Sequence, residues 1–142
     1  RLEDADFSGA DMPGVRLEDA DLRRAVFERA IMRGVRMRDA QLDGARFAGA
    51  ALSGNFVGMD FSGFDLTGTS FGGANLKDAR FVGASLVRAD FSKANLYGAD
   101  FSGADLNHAS FERANLATAV FDEARLEGAS FDDARGLEPP RR

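Results

Sequence analysis

Large apolar residues recur at every fifth position along this chain. From Leu2 the series runs Phe7, Met12, Leu17, Leu22, Phe27, Met32, Met37, Leu42, Phe47 and Leu52, then resumes at Phe61 and alternates Phe with Leu to Phe131. All 26 positions hold Leu, Phe or Met, and the residue two places earlier is Ala in 20 of the 25 units where it can be read. A period of five suits neither regular element. In an α-helix five residues advance about 500°, so the large residues drift about 140° per step and never share a face. In a straight strand every second one would point outward. A short extended piece followed by a turn satisfies both residues of the pair: lying two apart, the small and the large residue share the inward side. The residue between them faces out, and the two that follow round a corner. Gly holds the second corner position in 13 of the 26 units, Gly9, Gly63 and Gly103 among them, as suits a residue that takes positive φ without strain. The pattern predicts a coil with five-residue sides wound around an apolar axis. The spacing alone leaves the number of sides open.

The units read Ala-Asn-Leu-Tyr-Gly at 94–98, Ala-Asp-Phe-Ser-Gly at 99–103 and Ala-Asp-Leu-Asn-His at 104–108. They resemble the pentapeptide-repeat family, whose motif is A-[DN]-[LF]-x-x, over residues 1 to 135. The resemblance implies an all-β fold, a right-handed quadrilateral parallel β-helix (a solenoid) with four repeats per coil. On that basis 26 units make about 6.5 coils, and at about 4.8 Å between stacked strands a rod roughly 31 Å long. Residues 136–142 are expected to form a C-terminal tail.

Positions 20 apart should then stack. Asn75, Asn95 and Asn115 predict a ladder of side-chain amides along one outer face. The alternation from Phe61 to Phe131 predicts Phe stacks on two opposite faces and Leu stacks on the other two, with nearly all of these residues solvent-inaccessible. The period breaks between Leu52 and Phe61, which are nine apart. In one reading Asn55, Phe56, Val57 and Gly58 are an inserted loop, so that Leu42 stacks beside Leu66 and Phe47 beside Phe71. In the other, Gly54 to Gly58 is a further repeat centred on Phe56 and its predecessor is one residue short; this extends the Asn ladder to Asn55 but joins Leu stacks to Phe stacks. The unbroken Leu and Phe columns favour the insertion, with the chain leaving the coil within residues 53–58. Nearby, Met59, Phe64 and Thr69 replace the usual Ala, which predicts a local widening or bulge.

Composition narrows the chemistry. The chain has no Cys, one His, 18 basic and 23 acidic residues and a net charge of −5. Disulfides and thiolate metal sites are ruled out. No apolar run approaches the length of a membrane span, and the acidic balance argues against direct nucleic-acid binding. His108 falls at an expected exposed corner, Asp132 and Asp133 lack the spacing of a calcium loop, and no glycine-rich phosphate loop is present. Neither a cofactor nor an enzymatic activity is expected. The chain opens at Arg1 without Met or a leader pattern, as expected of a segment of a longer protein. A cytoplasmic location is expected, with a secreted effector or a secretion-apparatus component also open.

Charge is uneven along the chain. Eight Arg lie between residues 16 and 46, only Asp60 and Asp65 are charged between 47 and 76, and the end is acidic through Asp122, Glu123, Glu127, Asp132, Asp133 and Glu138. The uncharged waist, with Asn55, Phe56, Val57, Asp60 and Asp65, is the candidate interface for a protein partner or a second copy, because exposed apolar surface of this kind tends to mark contacts. The function expected is a non-catalytic scaffold that presents the faces of a rigid rod to a protein partner. The family resemblance also raises a DNA-mimicking protein that binds DNA gyrase. Duplex DNA would carry about 18 charges over a rod of this length, far more than this chain offers.

Overall fold

The number twenty sets the architecture. In the computed structural model, which describes residues 1–137, parallel backbone bridges join Asp6 to Val26, Val26 to Arg46, Asn75 to Asn95 and Asn95 to Asn115. Units of five residues with partners 20 apart put four units in each coil. Only two segments are long enough to count as strands, β1 (Ile31–Val35) and β2 (Ala51–Gly54), and they pair in parallel. Elsewhere each side offers a single bridging residue before the next corner. A typical unit is closed by the Ala94 amide donating to the Phe91 carbonyl at 3.0 Å, while the Phe91 amide donates to Ser110 of the next coil at 2.7 Å.

The corners are left-handed throughout. Glycines fill half of them, but thirteen non-glycine residues also hold φ near +60°, including Arg24, Lys93, His108 and the β-branched Thr118. A left-handed residue with a Cβ costs about 1–2 kcal/mol by itself, so the coil-to-coil ladder overrides local preference at each of these positions.

Inside, the large residues form continuous columns. Phe61, Phe81, Phe101 and Phe121 stack at 5.0–5.4 Å between ring centroids. Phe71, Phe91, Phe111 and Phe131 do the same at 5.0–5.2 Å, and the two columns meet edge to face across the axis. The expected Phe and Leu faces are therefore present in this half. The Asn ladder is present too: the Asn115 amide donates to Asn95 at 3.2 Å, and that of Asn95 to Asn75 at 3.3 Å. Burial is complete only in the middle. The core residues from Leu17 to Leu116 are buried, but Leu2, Phe7, Met12, Phe121, Leu126 and Phe131 are only partly so, because the first and last coils have a neighbour on one side alone. Of the expected tail, residues 138–142, Glu138 included, lie outside the described residues.

The break resolves against the insertion. Phe56 is fully buried, its amide donates to the Asn75 carbonyl at 2.7 Å, and Asn55 bridges Asn75. It is the core residue of a twenty-seventh unit, and the unit before it has four residues. Gly54 takes φ +138°, where a Cβ would sit 2.7 Å from the Val35 carbonyl oxygen, so only glycine fits this shortened corner. The chain does not leave the coil. Pairing shifts to 19 residues, Ala51 with Ser70, which aligns Leu42 with Phe61 and Phe47 with Leu66, in place of the expected Leu42–Leu66 and Phe47–Phe71 neighbours. The reason is physical: Phe and Leu fill a column slot almost interchangeably, whereas a Phe left in solvent forfeits its burial.

The shortened unit leaves a seam. In intact coils the amide of each core residue donates to the next coil, as Leu17 does to Arg36 at 2.7 Å. Among the described residues the amides of Met37, Leu42 and Phe47 make no such bond, and pairing resumes only with Gly49 to Thr67 at 2.9 Å and Leu52 to Ser70 at 2.7 Å. Met59 and Phe64 stand in the inward small-residue positions of two of the unbonded units, and both are half-buried. Their bulk wedges the coils apart where Ala would let them close. Thr69 is small enough to avoid this and donates its hydroxyl to the Phe47 carbonyl at 2.9 Å; the Phe64 ring ends the Phe7–Phe27–Phe47 stack at a wider 6.3 Å. The expected widening is thus present, as an open seam.

If the columns are a packed core, Phe91→Ala lowers stability by about 3–5 kcal/mol in urea denaturation, and Phe131→Ala, at the open end, lowers it by clearly less. Equal losses would contradict the burial gradient.

Candidate interaction surface

From Leu17 to Leu116 the interior is occupied by the chain's own side chains, so functional chemistry is confined to the outside. Among the described residues no cluster of three or more His, Asp or Glu is arranged to hold a metal, and no helix is long and apolar enough to cross a membrane. His108 stands exposed at a left-handed corner.

The seam opens onto the surface as a groove of about 360 Å³, lined by Glu18, Arg36, Met37, Arg38, Asn55, Val57 and Met59. The residues expected at the waist divide around it. Asn55 and Val57 line the groove, and Val57 is 49% exposed. Phe56, between them, points into the core and offers nothing to a partner, which corrects its placement on the surface. Neighbours in an extended unit face opposite sides, so Asn55 and Val57 can be outside only if Phe56 is inside. Asp60 and Asp65 are exposed on the next two sides, outside the groove. The Ser62 hydroxyl and amide hold the Asp60 carboxyl below the ordinary range, with Arg80 at 3.8 Å, and Asp65 accepts from the Thr67 amide at 3.1 Å.

A second feature lies on the same face beyond the seam. Val57, Lys77 and Tyr97 follow one another at 20-residue steps beside the Asn ladder, and among the described residues Val57 and Tyr97 are two of the four large apolar side chains that stand exposed. Leu137, also exposed, lies instead at the open end beside Leu116, Ala119, Val120 and Phe121. Lys77 lies 5.9 Å from the centroid of the Tyr97 ring. The exposed apolar pair was missed in the sequence, although its signal is there: Val57 and Tyr97 are 40 residues apart, two coils on one column.

The ends differ in how their charges are balanced. In the Arg-rich part, Arg24 binds Asp4 at 2.8 Å and also contacts Glu3, Arg23 binds Asp21 at 2.8 Å and Arg46 binds Glu28 at 2.5 Å. The Arg23 guanidinium hydrogen-bonded to Asp21 pulls that carboxyl down to about 2. At the other end Asp122, Glu123, Glu127, Asp132 and Asp133 are all exposed.

A solenoid of five-residue units with four to the coil, a closed core and chemistry only on its faces is a repeat protein. The chain belongs to the pentapeptide-repeat family: the profile described as pentapeptide repeats matches eight copies within residues 1–39, 20–54, 55–92, 69–107 and 99–135. Among solved structures, the pentapeptide repeat protein Rfr23 of the cyanobacterium Cyanothece 51142 is 19% identical over 91% of this chain and 89% of that chain, with a TM-score of 0.59. A pentapeptide repeat protein of the Arabidopsis thaliana thylakoid lumen is 26% identical over 96% of this chain and 71% of that chain, with a TM-score of 0.48. HetL of Nostoc, a pentapeptide repeat protein involved in heterocyst differentiation regulation, is 29% identical over 91% of this chain and 69% of that chain, with a TM-score of 0.43. No curated protein matches the chain in sequence.

Two outcomes follow from this geometry. Phe56→Asp places a charge in the core and unfolds the rod as read by circular dichroism; a folded variant would contradict its buried position. The Asp21 carboxyl is depressed from an ordinary 3.8 to about 2, so its contribution to stability is present above pH 3.8 and lost as pH falls through 2. Carboxyl NMR shifts should titrate near 2 and return toward 3.8 in Arg23→Gln; an unchanged midpoint in that variant would show that the pair does not set it.

Proposed function

We propose that this chain is a non-catalytic scaffold, a right-handed quadrilateral rod whose outer faces bind a protein partner. The observation that carries this reading is the filled interior. Between Leu17 and Leu116 the Leu, Phe and Met residues of the core columns are buried, and only Met59 and Phe64, at the seam, are large inward residues left half-buried, so recognition falls mainly to the side chains between and after the core positions. The 27 units at four per coil give just under seven coils in the proposed rod. The face with the Asn ladder and the exposed Val57 and Tyr97 is the preferred contact surface, since it carries two of the four exposed large apolar residues among those described. A cytoplasmic location belongs to the same proposal.

The gyrase-directed DNA mimic is the less favoured reading. A mimic needs rows of uncompensated negative charge, and the acids nearest the start of the rod are bound by Arg23, Arg24 and Arg46.

Both readings are tested together by affinity capture with the full chain and a gyrase supercoiling assay. The expected outcome is a partner retained by the wild type and lost on Tyr97→Glu, which leaves the fold intact, with supercoiling unchanged at low micromolar protein. Inhibition or protection of gyrase would overturn the scaffold reading in favour of the mimic.

A further inference from the structure

The open seam carries more than a place on the surface. Within it, two backbone edges face each other unsatisfied. Among the described residues the amides of Met37 and Asp39 find no acceptor, and the carbonyls of Asn55 and Val57, which an intact coil would offer them, receive no donor. Met37 is buried while Asp39, Asn55 and Val57 are exposed, and an exposed row of free donors opposite a row of free acceptors is what an added strand would satisfy. The side chains around this row specify the strand further. Met37, Val57 and Met59 give an apolar, adaptable lining of the kind methionine provides. Around the rim three guanidinium groups face two carboxylates: Glu18 lies 3.3 Å from Arg36 and 3.8 Å from Arg16, and Asp39 lies 3.8 Å from Arg38, which leaves one positive charge in excess. The Arg36 and Arg38 side chains are largely exposed, Arg38 to 86%. On a chain of net charge −5 this is a local basic rim over an apolar floor.

We propose that the seam is a peptide-binding site that takes an extended acidic segment of a partner protein by strand addition. The segment's carbonyls accept from the Met37 and Asp39 amides, its amides donate to the Asn55 and Val57 carbonyls, a small apolar side chain enters toward Met59, and flanking carboxylates meet Arg36 and Arg38. The site exists because the unit at Gly54 is one residue short and because Met59 and Phe64 hold the coils apart; an unbroken run of Ala-containing units would have no such opening. The assignment rests on the scaffold reading and names the chemistry of the partner.

The test uses the full chain and a fluorescein-labelled hexapeptide of sequence Glu-Asp-Val-Glu-Val-Glu. Saturable binding by fluorescence anisotropy is expected, weakened about tenfold in the double variant Arg36→Glu, Arg38→Glu and unchanged in Arg29→Glu, which lies outside the groove. A probe N-methylated at alternate amides should lose binding, and hydrogen exchange at Met37 and Asp39 should slow when the unmodified probe is saturating. Absence of saturable binding, equal binding of a Lys-for-acid control peptide, or indifference to the Arg36 and Arg38 changes would overturn the proposal. So would tighter binding of a duplex DNA oligomer with the same dependence on those arginines, which would make the rim a phosphate site. Should the hexapeptide fail while the captured partner is still lost on Tyr97→Glu, the seam assignment falls and the scaffold reading stands; loss of all partner capture would remove the scaffold reading itself.

Discussion

Everything in this rod depends on the hydrogen bond from each core residue's amide to the carbonyl 19 residues ahead of it. Successive coils sit one strand spacing apart, about 4.8 Å, which leaves room for only a small inward residue beside each large one. That constraint puts Ala two positions before Phe or Leu and forces the backbone into a left-handed corner after it. It also makes identical residues 20 apart neighbours, from which the Phe stacks and the Asn ladder follow. Local preferences yield to it, as at Thr118, a β-branched residue held at φ 58°.

Where the constraint is relaxed, the molecule changes character. One residue fewer at Gly54 shifts the pairing from 20 to 19, and two bulky residues in Ala positions keep three sides of one coil junction from closing. The interior still fills: Leu42, Phe47, Phe61 and Leu66 stay buried. Side-chain packing thus tolerates the fault, and the backbone ladder records it. Packing depends on volume and forgives a change of partner, whereas a hydrogen bond fails over a few tenths of an ångström.

Much of this was legible in the sequence because period, residue size and corner chemistry all report the same five-residue unit. The Asn ladder followed once the family resemblance set four units to the coil, and the core positions, the corner at His108 and the disturbance near Met59 and Phe64 could be read directly. The fate of Phe56 could not, since column identity and local motif gave opposite answers. Continuity of Leu over Leu and Phe over Phe pointed to a loop, while Asn55 before it and Gly58 after it matched an ordinary unit. The local motif prevailed, for burying a Phe outweighs exchanging Phe for Leu in a column. The exposed pair Val57 and Tyr97 stayed hidden for a different reason: Lys77 stands between them in the same column, so no two large apolar residues of that column fall 20 apart.

The thinly joined seam also bears on how the rod responds to heat or force. In a solenoid each coil touches only its neighbours, so cooperativity passes along the axis through interfaces in series. An interface bonded on little more than one side transmits less of it than the others do. The chain is therefore built as two coupled blocks, the shorter one before Gly54 and the longer one after it. The first holds a core of mixed Leu, Met and Phe, and the second the uninterrupted phenylalanine stacks. Thermal or mechanical stress divides such a rod at its joint, so that loosening of the first block can occur while the second keeps its order.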